Sequence, residues 1–240
     1  MKIDKYTQIT GLKILIQSLP YIGTPLNEFL FEHRGRIKQD RINNFVQNLK
    51  DYLETINENV INSEYINSEE FGDIFETILE KISRTESDEK LKRFKQILVR
   101  QIEVPERREY IESFLDIISK ITDKQFEILI LHDKHIEDYQ KIVERSREID
   151  NSEFSNSRFA DHVYSHERKE LDDKKEDLEK KFLGEGNYNI DKKEYLFLVQ
   201  DLISKSLLYD AGIGGIGTRP FERVLITDYG QSFIKYVSEK

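Results

Sequence analysis

Cysteine and tryptophan are absent from this chain, methionine occurs once, proline four times, and alanine only as Ala160 and Ala211. Without cysteine there is no disulfide framework, no thiolate metal centre and no cysteine nucleophile. Two alanines against 30 isoleucines mean that helices here are lined by branched side chains, which hold neighbouring axes well apart. Long apolar runs are missing too. The longest uncharged stretch of the N-terminal region, Ile14 to Asn27, is too short to span a bilayer and contains Gln17 and Pro20. No small-residue cleavage site follows an apolar core, so no secretory signal is read there and the expected compartment is the cytoplasm. Basic residues are in deficit, 37 against 46 acidic, for a formal net charge of −9, which argues against a broadly nucleic-acid-coating surface.

What is present suffices for a core, since 38% of residues are hydrophobic and 11% aromatic. Apolar residues recur at helical spacing through most of the first 130 positions. Ile9, Leu12, Ile16 and Leu19 form one stripe, and Thr24-Pro25 opens a further turn that carries Phe29. This segment reads either as a core helix hairpin or as an amphipathic element that enters a membrane or a partner's groove. From Arg36 to about Asn59 the stripe is Ile37, Ile42, Phe45, Val46, Leu49, Leu53 and Ile56. Ser68 caps a helix that carries Phe71, Ile74, Phe75, Ile78, Leu79 and Ile82. Ser87 caps the next, with Leu91, Phe94, Ile97, Leu98 and Ile102, and Pro105 stops it. Tyr110 to Ile118 follows, and Thr122 to Gln125 has capping-box spacing ahead of Phe126, Ile128 and Leu129. Short polar links between these stretches favour antiparallel neighbours in a helical bundle over residues 1–120.

Residues 121–190 begin with that capped helix and then change character. From 133 to 182 charged residues are dense and apolar ones sparse, which reads as a charged helical insertion or linker; Asp150 to Ser157 reads as a loop. By segment the net charge is +1 over 1–60, −3 over 61–105, −4 over 106–150, −3 over 151–190 and zero over 191–240. The acidity therefore belongs to the middle of the chain. In residues 191–240, Asp191 caps a helix with Glu194 at its third position, and Tyr195 to Val199 is continuously apolar, which reads as burial on both sides. A glycine-rich turn from Asp210 to Arg219, a strand over Phe221 to Thr227 and a final helix over Asp228 to Val237 complete the chain.

That order resembles the end of a bacterial winged-helix domain. Leu207-Leu208-Tyr209-Asp210 matches the lead into the wing, and Ile226-Thr227-Asp228-Tyr229-Gly230 the turn into the last helix, with Phe233, Ile234 and Val237 behind it. Ile121 to Leu129 resembles the opening helix of such a domain, and the charged stretch stands where a compact one has a single short helix. The resemblance implies a module that meets DNA or protein, with Lys192, Lys193, Arg219 and Arg223 as the nucleic-acid contacts. Seven basic and seven acidic residues balance across 191–240, which weights the module toward protein contact or self-association. Residues 1–120 more loosely resemble helical bacterial proteins of the abortive-infection alpha type, through LPYIGTPLNEFLF, the polar helices after it, and ISRTESDEKLKRFKQIL. That second resemblance implies a phage-defence or stress-response setting and carries no catalytic motif.

Other patterns have bland explanations. Gly212 to Gly217 satisfies G-x-G-x-x-G, yet a dinucleotide site needs a strand before the glycines and a helix after them, the reverse of the order here. A wing tip explains the glycines. His132 and His135, and His162 and His166, are spaced to share one helical face, and a metal would require the two pairs to converge. Ser87 to Lys90 matches S-x-x-K, but the serine serves better as a helix cap. Arg34, Arg36, Lys38 and Arg41 make the densest basic spot, read as a solvated helix face. The expectation is a mainly α protein: a helical bundle over 1–120, a charged insertion over 121–190 and a winged-helix-like module with a small β-hairpin over 191–240. Its expected role is non-catalytic and cofactor-free, binding a protein partner or itself. The alternatives are a membrane-acting effector using Ile9, Leu12, Ile16, Leu19 and Phe29, and a DNA-binding regulator.

Overall fold

A computed structural model describes residues 33–55, 62–155, 160–180, 183–213, 220–221 and 223–238. The N-terminal apolar segment with Ile9, Leu12, Ile16, Leu19 and Phe29, the glycines at 214–217, and Arg219 lie outside the described residues. Among the described residues the chain is mainly helical, with one two-stranded antiparallel sheet. It divides into two compact units, residues 1–121 with 236–240, and residues 122–235.

The first unit contains α1 (His33–Leu53), the single turn α2 (Ser63–Ile66), α3 (Glu69–Ser83), α4 (Asp88–Glu103) and α5 (Arg108–Lys120). Each start has a local cause. The Ser68 and Ser87 hydroxyls each accept the backbone N–H three residues on, at 3.2 Å, with glutamates and aspartate in the first turns to favour the positive helix end. α4 stops at Glu103, two residues before Pro105. α3 touches α1, α2, α4 and α5, so its stripe of Phe71, Ile74, Phe75, Ile78, Leu79 and Ile82 is the centre of this core. Ile42, Phe45, Leu49 and Leu53 of α1, Phe94, Ile97, Leu98 and Ile102 of α4, and Ile111, Phe114, Leu115 and Ile118 of α5 close around it. Burying each such side chain stabilises by about 1.5–3 kcal/mol.

The second unit begins with α6 (Asp123–Ser155), 33 residues long, and α7 (Ala160–Lys180) packs along it. The expected charged helical insertion or linker takes the form of a helical hairpin, and the expected loop from Asp150 is helix as far as Ser155. Residues near 145 pair with 167 and residues near 138–142 face 174–178, so the two helices run antiparallel. Arg145 Nε donates to Glu167 at 2.8 Å, Arg168 pairs with Asp150, and Ile149 is buried. Where the two helices cover mainly one another, a narrow apolar seam suffices, which is why apolar residues are sparse along the stretch. The linking segment then makes a 3₁₀ turn at Glu185–Asn187 and leads to α8 (Lys192–Ser204).

β1 (Leu208–Asp210) and β2 (Val224–Ile226) pair with Leu208 opposite Ile226, Tyr209 opposite Leu225 and Asp210 opposite Val224. β2 is shorter than the expected Phe221–Thr227 strand because Phe221 has φ of 62° and its N–H is taken by the Asp210 carboxylate at 2.8 Å. α9 (Asp228–Val237) ends the described chain. Its Phe233 packs edge-on against Phe126 of α6 with ring centroids 6.3 Å apart, and α6 also meets β2 and α8.

Candidate functional site

α8 is held from below at three points. Asp191 accepts the Glu194 N–H at 2.8 Å and caps it; Tyr195, Leu198, Val199 and Leu202 are buried; Gln125 of α6, itself closed by its capping box with Thr122, donates to Asp201 at 2.6 Å and to the Leu198 carbonyl. Its far end closes as a Schellman turn, with Leu207 N donating to Leu202 O, Ser206 N to Ile203 O, and Ser206 at φ 61°. These constraints leave one face in solvent. Lys193, Phe197, Gln200 and Ser204, at i, i+4, i+7 and i+11, are all exposed, with Lys192 on one flank and Glu194 on the other. Phe197 is 70% exposed. The continuous apolar run from Tyr195 to Val199 is therefore not buried on both sides: a helix turns 200° in two residues, which sends Phe197 away from Tyr195. The hairpin adds Tyr209 at 45% and Ile213 at 81% exposure, and Arg223 is exposed beside β2. Sequence reasoning passed over Phe197, Tyr209 and Ile213, although a helical wheel of α8 separates Phe197 from its four buried neighbours.

The electrostatics differ from the neutral count. Asp191 is a helix cap. Burial raises the Asp201 pKa, but hydrogen bonds from Lys205 and Gln125 outweigh it and leave the carboxyl below its usual range. The Asp210 carboxylate accepts from Gly212 N at 2.9 Å and from Phe221 N, bridging the base of the turn. Three of the acidic groups face internal donors while Lys192, Lys193 and Arg223 face solvent.

The turn into α9 explains two residues of the I-T-D-Y-G pattern. Thr227 Oγ1 donates to the Ser206 carbonyl at 2.7 Å and accepts from Gly230 N at 2.8 Å. A Cβ on Gly230 would stand 2.3 Å from the Leu207 carbonyl oxygen, so no larger residue fits.

The histidines are spread over different surroundings. His132 is buried, with Nδ1 3.3 Å from the Tyr188 hydroxyl; His135 is half-buried; His166 is exposed, 3.4 Å from Glu170; the His162 side chain lies outside the described residues. Among the described residues no group of three or more metal-binding side chains is arranged to hold an ion. Ser87 is a cap, and Lys90 Nζ donates to the Ser119 carbonyl at 3.0 Å. In the first unit, buried Gln101 accepts from Tyr65 at 2.7 Å and donates to Tyr236, whose ring tilts on Phe114. Burial first, then Glu70, pushes the Tyr65 phenol up to about 12, so the network stays protonated and structural. Among the described residues no helix is long and apolar enough to cross a membrane. Comparison with protein-family models, curated proteins and solved structures finds no match for this chain.

Proposed function

We propose that this chain is a non-catalytic partner-binding protein whose C-terminal part is a winged-helix-like module that docks a protein through the exposed face of α8. The observation that carries the reading is Phe197. An aromatic side chain 70% exposed in mid-helix, flanked along the stripe by Lys193 and Gln200, is the composition of a binding hot spot with a polar rim. The order of α6, the 3₁₀ turn, α8, the two-stranded hairpin and α9 supports the winged-helix reading, as does the steric need for Gly230. In that reading the α6–α7 hairpin is an insertion after the opening helix. The looser resemblance to abortive-infection alpha proteins is the support for a bacterial defence setting.

A photo-crosslinking residue placed at Phe197 in the producing cell tests the docking face. The expected result is one dominant adduct that weakens at least tenfold when Lys193→Glu is added, with no adduct from the same residue at exposed Ile130 of α6. Equal labelling from both positions would sink the reading; an adduct of the chain with itself makes the partner a second copy. DNA is the second reading, favoured by the internal engagement of Asp191, Asp201 and Asp210. It requires duplex binding that falls steeply with salt and drops when Lys192 and Arg223 become alanine.

A further inference from the structure

We propose that His132 is an acid-sensitive latch whose protonation releases the segment Leu183–Ile190, and with it the approach to α8, from the core of the second unit. The latch rests on how the imidazole is enclosed. His132 is 2% exposed, its Nδ1 lies 3.3 Å from the Tyr188 hydroxyl, and its Nε2 has no hydrogen-bond partner. In the neutral ring one nitrogen carries a proton and the other accepts, and the Tyr188 hydroxyl can serve Nδ1 in either role. A second proton makes both nitrogens donors and leaves a full charge in a buried site beside an aromatic ring.

The surrounding groups do not offset that charge. On α6, His135 is a like charge when protonated, and Asp133 is drawn to Gln231 of α9 at 3.2 Å. Glu127 on α6 and Glu185 on the segment act on Tyr188 and Tyr195 respectively. The segment presents Tyr188 to the imidazole, with ring centroids 6.4 Å apart, and Tyr195 of α8 stacks on Tyr188 at 5.8 Å. Lys124, on α6, donates to the Tyr188 carbonyl at 3.2 Å.

Tyr188 is also the mechanical centre of the segment. Behind it, the Tyr195 hydroxyl donates to the Leu183 carbonyl at 2.8 Å, so the ring stacked on Tyr188 also ties down the start of Leu183–Ile190. Burial, and secondarily His135, hold the enclosed imidazole down at about 4. An opened segment returns it to roughly 6.5, the ordinary histidine value. Opening is therefore rarest above the ordinary value and grows by up to about tenfold per pH unit as the pH falls toward the enclosed one.

Hydrogen exchange of the full chain, corrected for intrinsic rates, tests this at pH 7.5 and 5. Protection of 183–190 is expected to fall about thirtyfold across that interval while α4 keeps its protection. His132→Leu, with similar volume and no charge, is expected to erase the difference. Should that variant not fold, titration of the His132 side chain by NMR in the unmodified protein decides, with no protonation expected above pH 5. Equal loss in His132→Leu and the unmodified chain, or a His132 that titrates near 6.5 with 183–190 still protected, overturns the latch. These readouts are independent of what the α8 face binds.

Discussion

Gly230 is the position where a single atom decides the C-terminal turn. Its Cβ would meet backbone, which cannot swing aside as a side chain can. Gly230→Ala should destabilise by about 2 kcal/mol or more, visible as a thermal midpoint lower by several degrees. The motif was legible in the sequence as a pattern; the reason for it is a distance between residues 23 positions apart in the chain, Leu207 and Gly230. His132 illustrates the opposite case. Its spacing to His135 invited a metal reading, and its ring partner, Tyr188, comes from a segment more than 50 residues away. Phe197 lies between these. Its exposure follows from helix geometry alone once α8 is granted, but an uninterrupted apolar run conceals the face it sits on.

Helices with strong caps and full apolar stripes were legible element by element. Ser68, Ser87, Thr122 with Gln125, and Asp191 all cap where the sequence places them, because a cap is a contact within three residues. The charged stretch was legible as helical, but its pairing into the α6–α7 hairpin was not, because the stability of that hairpin is shared between two helices. Each has a weak stripe, and neither reveals that the other covers it. Ile149, buried 26 residues into α6, is the test of that sharing. Ile149→Ala should cost about 2–4 kcal/mol and, read by hydrogen exchange, expose the Arg145–Asp150 turns before the first turns of α6. Unchanged protection there would mean that surface pairs such as Arg145–Glu167 hold the hairpin, against their usual worth of under about 1 kcal/mol. The hairpin between β1 and β2 was expected, and its short second strand was set by Asp210 reaching across the turn.

For the whole molecule, charge is the property most directly written in the sequence. A net charge of −9 and an isoelectric point near 5.3 predict lowest solubility close to pH 5.3, measurable as turbidity against pH at low salt. A minimum above pH 7 would contradict it. Mainly helical architecture, the cap positions and the acidic middle followed from periodicity and composition, which are local and additive. Tertiary structure decided which charges stay free and which apolar residue stays exposed. Asp201 is engaged by Gln125 from 76 residues away and Asp210 by the far side of its own turn, and Phe197 is left outside because four neighbours on its helix fill the core first. Burial and pairing are properties of where segments meet, and no local pattern carries them.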